Sequence, residues 1–131
     1  MGELRFEIPL NPVTKKNSEV RTKQGGIIAS KAYRHYEKDA VLLIPGWAKK
    51  RIGYPVNVQA VYYMNARRRV DLSNLINATD DTLVAAGVLE DDNRDVVAGH
   101  DGSRVLYDKQ NPRTEITITA MGEGYEQWAK K

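Results

Sequence analysis

Residues 67–83 read RRRVDLSNLINATDDTL, and the periodicity of this stretch decides the fold. Leu72, Leu75, Ile76, Thr79, Leu83 and Ala86 recur at helical spacing, and Gly87 stands where a helix ends in a left-handed residue. Just upstream, Val56, Val58, Ala60, Tyr62 and Met64 alternate with Asn57, Gln59, Val61 and Tyr63, which predicts a half-buried strand. Working outward, Leu4, Phe6 and Ile8 predict an early strand. Tyr33, Tyr36, Ala40 and Leu43 predict a helix, with Ser30 as N-cap and Pro45-Gly46 as its stop. Further strands are expected at Val96 to Ala98, Arg104 to Tyr107 and Thr114 to Ala120. Segment 11–29 reads as a loop or loose hairpin turning at Gly25-Gly26, and 125–131 as one more helical turn. Strands that are sequential or separated by one helix predict an α+β fold over residues 1–131, a single domain with two main helices and a mixed or antiparallel sheet.

A chain of 131 residues suits one domain, and 41% hydrophobic with 28% charged residues excludes a disordered class. The absence of cysteine excludes disulfide frameworks, thiolate zinc sites and cysteine nucleophiles. Glu3, Arg5 and Glu7 interrupt the first ten residues, so no apolar signal core is expected there. The longest apolar run, Ala40 to Pro45, is far short of a membrane span. These features predict a cytoplasmic protein.

The net charge of +3 hides an uneven distribution. Residues 71–101 carry eight acids and one base, Arg94, a balance of −7, while the remainder carries +10. An acidic island in a basic body suits a polyanion whose phosphates meet the acids through metal. A solvated acidic helix and loop is the plainer explanation.

On the predicted helix, Ser73, Asn77 and Asp81 fall at i, i+4 and i+8, on a different face from the apolar stripe. Asn74 lies beside them and Asp71 sits at the helix entrance, as an N-cap or as a ligand. Glu90-Asp91-Asp92 follow the helix stop, and three adjacent acids call for cationic partners; Mg²⁺ or Mn²⁺ are natural ones. The helix and its short exit suggest that Asp92 returns beside Asp71. Arg94 is a phosphate contact or a partner of Asp91. His100-Asp101 form a third candidate, while Asp80 and Asp95 read as ordinary surface. There is no histidine cluster for zinc, no phosphate-binding glycine loop and no serine elbow. Metal-assisted phosphodiester cleavage needs little beyond such acids and basic residues to place the backbone. Lys15, Lys16, Arg21, Lys23, Arg67, Arg68 and Arg69 are the candidates, with at most two of the three adjacent arginines facing one DNA strand.

Asp71-Leu72-Ser73-Asn74, Asn77, Asp81-Thr82-Leu83, Gly87 and Asp91-Asp92 together resemble the motif of the RusA-type Holliday junction resolvases. The upstream Lys15-Lys16-Asn17, Ala32-Tyr33-Arg34 and the closing strand at 114–120 look similar too. The resemblance implies a RusA-like α+β homodimer, of bacterial or prophage type, that binds four-way DNA junctions in recombination and repair. It implies paired, symmetric cuts made with Mg²⁺ or Mn²⁺. Carried over by position, Asp71 and Asp92 match metal-binding catalytic aspartates, with Asp91 beside them. Ser73 stands where the family has a second aspartate, and Asn77 where it has a lysine. Asp91, Asp81 and Asp101 are the carboxylates available to replace the first, and Ser73 or Asn77 to hold metal-bound water. The rival expectations are a non-catalytic junction-binding protein, a nuclease for other branched DNA, and an interaction protein with no nucleic-acid role.

Overall fold

The computed structural model describes residues 2–15, 19–21, 27–29, 31–122 and 124–125. Ser30, the turn at Gly25-Gly26 and the segment 126–131 lie outside them. The chain runs β1 (Glu3–Ile8), β2 (Glu19–Arg21), β3 (Ile27–Ala29), α1 (Lys31–Leu43), a 3₁₀ turn (Gly46–Ala48), β4 (Val56–Met64), α2 (Leu72–Ala85), β5 (Val97–Gly99), β6 (Arg104–Tyr107) and β7 (Arg113–Ala120). This is the expected α+β fold, and its sheet is mixed.

The five-stranded sheet is built around β4, the strand with the cleanest alternation. Its even-numbered residues, Val56 through Met64, are all buried and its odd-numbered ones are half-exposed. One edge of β4 pairs antiparallel with β7, from Val56–Ala120 to Tyr63–Arg113, and β7 in turn pairs antiparallel with β1. The other edge is shared: β5 runs parallel to the start of β4, and β6 runs parallel to Val61–Met64. A parallel neighbour requires a crossover, and α2 supplies it between β4 and β5. β2 and β3 form a separate antiparallel pair, the hairpin expected in segment 11–29.

Both helices lend residues to one core, in which Tyr33, Tyr36 and Ala40 of α1 join Leu75, Ala78 and Leu83 of α2 and the buried residues of the sheet. Two tyrosine hydroxyls of this core are paired: Tyr62 with Thr79 at 2.7 Å, and Tyr33 with Glu37 at 2.9 Å. Burial pushes the phenol of Tyr36 up to about 12 and those of Tyr33 and Tyr62 higher still, so all three are neutral. Tyr62 is therefore core, whereas Trp47 remains 60% exposed with its ring edge-on to Phe6.

The exit from α2 matters most for the site. Ala86 is the C-cap and Gly87 takes φ 78, the left-handed step that ends the helix. The chain then runs beside residues 51 and 52, with Ile52 N donating to Val88 O at 3.0 Å and Glu90 N to Ile52 O at 2.9 Å. That short parallel contact fixes where Asp91 and Asp92 emerge. Among the described residues, no helix is long and apolar enough to cross a membrane.

Candidate metal centre and nucleic-acid interface

Asp71 closes the loop after β4 in extended conformation, φ −85 and ψ 126. Its carbonyl accepts from Asn74 N at 3.1 Å and Leu75 N at 3.2 Å, as an N-cap carbonyl does. Its carboxylate makes no capping bond to backbone; among the described residues it accepts a single bond, of 3.2 Å, from the Asn74 side-chain amide. Asp71 thus holds the capping position and keeps an exposed carboxylate with lone pairs to spare. Ser73 and Asn77 are exposed on the outer ridge of α2, as their spacing requires.

Asp81 lies on the same ridge, but ten residues on from Asp71, about 15 Å along the axis at a rise of ~1.5 Å per residue. Its carboxylate accepts an ion pair from Lys15 Nζ at 2.7 Å, and both side chains are over a third exposed. The carboxyl of Asp92 lies against Asp81. Partial burial, the Asp81 charge and its hydrogen-bond contacts with Asp81 and Asp91 together raise the Asp92 pKa above the ordinary aspartate value. Asp91 Oδ1 meanwhile accepts from Asp92 N at 2.7 Å, which turns it back on its own backbone.

The expectation that Asp92 returns beside Asp71 is therefore corrected. The strip held against Ile52 delivers it to the later half of α2, beside Asp81. Asp92 thus meets Asp81 and, through its backbone N, Asp91, while Asp71 and Ser73 stand at the opposite end of the ridge with Asn77 between. Among the described residues, no group of three or more His, Asp or Glu side chains could hold a metal ion. The donors that do meet are of the oxygen type a hard divalent cation prefers, but they do not form a site by themselves. They are carboxylates, one of which carries the Lys15 ammonium, and Asp92 is raised first by burial and then by the charge of Asp81.

Asp80, read as ordinary surface, is buried. Its Oδ2 contacts His100 Nε2 at 2.9 Å, and its Oδ1 is buried with no hydrogen-bond partner among the described residues. The signal was in the sequence: Asp80 lies four residues after Ile76 and three before Leu83, on the apolar stripe. His100 thus pairs with Asp80 rather than with its neighbour Asp101, whose backbone is held by Asn57 through bonds of 2.8 and 3.2 Å. The hydrogen bond to Asp80 raises the His100 pKa; burial opposes it, and the charges of Asp80 and Asp101 add to it.

The candidate DNA-contacting bases separate. Arg67, Arg68 and Arg69 are exposed in the loop that leads from β4 to Asp71. The Arg67 guanidinium sits 4.1 Å from the centre of the Tyr107 ring, itself 39% exposed. Lys15 is elsewhere, in the acid cluster, and Lys16 lies outside the described residues, as do Asn17 and Lys23; the Arg21 side chain is likewise not described. Nothing in the local sequence announced the Lys15–Asp81 pair, because 66 residues separate its members.

None of the curated proteins matches the chain. The family model described as Endodeoxyribonuclease RusA matches residues 9–119, and so takes in both helices, the central strand β4 and nearly all of β7. With the acid-lined helix, the paired Asp81 and Asp92 and a match over most of its 131 residues, the chain belongs to the RusA endodeoxyribonuclease family.

Proposed function

We propose that this chain, acting as one domain over residues 1–131, is a metal-dependent endodeoxyribonuclease that resolves four-way DNA junctions by paired symmetric cuts. Its setting is recombination and repair in the cytoplasm, and its working form is a homodimer, since a two-fold junction cut twice suits a C2 pair with one site per subunit. The observation that carries the reading is the approach of Asp92 to Asp81 in a chain of an endodeoxyribonuclease family.

Asp91 and Asp92 are the proposed metal ligands, with Asp81 beside them; Asp71, about 15 Å along the helix from Asp81 by helical rise, is proposed as the ligand of a separate ion. Bound there, Mg²⁺ or Mn²⁺ would activate water and offset charge on the phosphate. The residues of the chain do the rest. Ser73 and Asn77 present hydrogen-bonding groups along the ridge between the acids. Arg68 and Arg69 hold the backbone by charge, and Arg67, stacked on Tyr107, adds a flat cationic surface beside them. Lys16 is proposed as a further phosphate contact by composition alone.

A second reading, junction binding without cleavage, is favoured by two observations. The ridge has no base between Asp71 and Glu90, and Asp71 stands about 15 Å along the helix from Asp81 by helical rise. An end-labelled four-way junction with Mg²⁺ or Mn²⁺ separates the two. Symmetric nicks in opposite strands establish resolution, and a shifted complex without product establishes the second reading. Preferential cutting of a flap at the same salt concentration would replace junctions by another branched substrate.

A further inference from the structure

We infer that the ring of Tyr107, faced by the Arg67 guanidinium, is a stacking platform for a nucleobase exposed at the branch point of a DNA junction. This rests on the branched-DNA reading proposed above and deepens it, by naming a part of the surface that tells a branch from a continuous duplex.

The ring stands on a fixed support. β6 pairs in register with the end of β4, which sets Tyr107 beside Met64. Asp108 N donates to Met64 O at 2.9 Å and so holds the chain immediately after the ring. The Asp108 carboxylate accepts from Arg113 Nη1 at 2.9 Å and from the backbone N–H groups of Gln110 and Asn111 at 3.2 Å each. Met64 is buried, and Val105, two residues before Tyr107, packs against the core, so Tyr107 lies on the side of the sheet that carries the helices. It is nevertheless 39% exposed.

Two arginine–tyrosine pairs at this end of the sheet differ in what they leave over. Arg113 lies 3.8 Å from the centre of the Tyr63 ring, but Asp108 and Glu115 meet its charge at 2.9 Å each and its side chain is 15% exposed. That pair is structural. Arg67 lies 4.1 Å from the centre of the Tyr107 ring, is exposed, and makes no ion pair among the described residues. Asp108, the acid next to Tyr107 in the chain, is taken by Arg113. A planar cation and an aromatic ring are thus both left accessible, and each stacks on bases with little regard to which base it is. Arg68 and Arg69 follow directly and supply charge for the flanking phosphates, and Asp71 is four residues on, at most about 14 Å away by chain length. Inside a continuous duplex each base is covered by its neighbours. A branch interrupts that stack and offers a free face to the platform.

The test is DNA binding in EDTA by the full chain, comparing the parent with Tyr107→Ala and Tyr107→Phe. Each is titrated with a four-way junction and with a linear duplex of equal length, over a range of salt. Tyr107→Ala should bind the junction about tenfold more weakly, the effect of losing one stacked base. Its duplex affinity and its salt slope should not change, because no phosphate contact is lost. Tyr107→Phe should match the parent. In the parent, 5-iodouracil at the branch point should photocross-link to Tyr107, whereas the same base within an arm should not, and this readout needs no variant to fold. Unchanged junction binding by Tyr107→Ala, or equal weakening on junction and duplex, overturns the platform. So does a Tyr107→Phe variant as weak as Tyr107→Ala, or a branch-point cross-link that forms only to other residues. In each of these cases a parent that still prefers the junction leaves the branched-DNA reading standing. A parent that binds junction and duplex alike overturns that reading, and this inference falls with it.

Discussion

The carboxyl of Asp92 lies against that of Asp81, eleven residues earlier in the chain, and is lifted above the ordinary aspartate range by burial and by the Asp81 charge. Two acids held together carry an electrostatic cost that folding must offset. Acids perturbed in this way gather at functional sites more often than elsewhere.

Replacing Asp92 tests that cost directly. An acid whose folded pKa is raised is favoured in its protonated form, so it lowers stability as pH rises above the unfolded value of 3.8. In EDTA at neutral pH, Asp92→Asn should therefore melt at or above the temperature of the parent. It should also lack the fraction of the parent's stability loss that follows Asp92 ionisation. The same variant should lose cleavage while still shifting a junction in a gel. A lower melting temperature in EDTA, or equal cleavage, would contradict the assignment.

The three arginines should differ. Arg68 and Arg69 are exposed, and replacing each by alanine should weaken junction binding and reduce the salt slope by about 0.9 for each phosphate no longer neutralised. Arg67 is stacked on Tyr107, so Arg67→Ala should also cost about 0.5–1 kcal/mol of folding stability, the worth of an exposed cation–π pair. Salt-dependent binding isotherms and urea melts read the two effects separately. Equal melting of all three variants would remove the structural role given to Arg67.

His100 predicts a pH dependence of its own. Its folded pKa is raised above 6.5, so the stability it draws from Asp80 is fully present below 6.5 and is lost as pH rises through the folded value. His100→Ala would leave the buried Asp80 carboxylate without its partner, at about 1–3 kcal/mol. Urea melts should show that deficit at pH near 6 and a narrower gap at pH near 9. An imidazole that titrates below 6.5 by NMR would reverse the sign.

Much of the fold was legible because it depends on local period. The alternation of 56–64 and the stripe from Leu72 to Ala86 named the central strand and the crossover helix, and Gly87 marked the helix end through its left-handed φ. The same stripe also turns Asp80 inward, since Ile76 and Leu83 share its face.

By itself, the sequence determined the strand–helix order, the outward ridge of Ser73, Asn77 and Asp81, the capping position of Asp71 and the segregation of acids from bases. Tertiary structure alone decided which acids meet. A residue's position along a helix fixes its face, but the end of a connection is fixed by the backbone it pairs with. Here the strip at Val88–Glu90 pairs with Ile52 and brings Asp92 to Asp81 rather than to Asp71. Long-range delivery also placed Lys15 on Asp81, because a side chain's partner across 66 residues depends on how the sheet and helices stack, which no local pattern encodes.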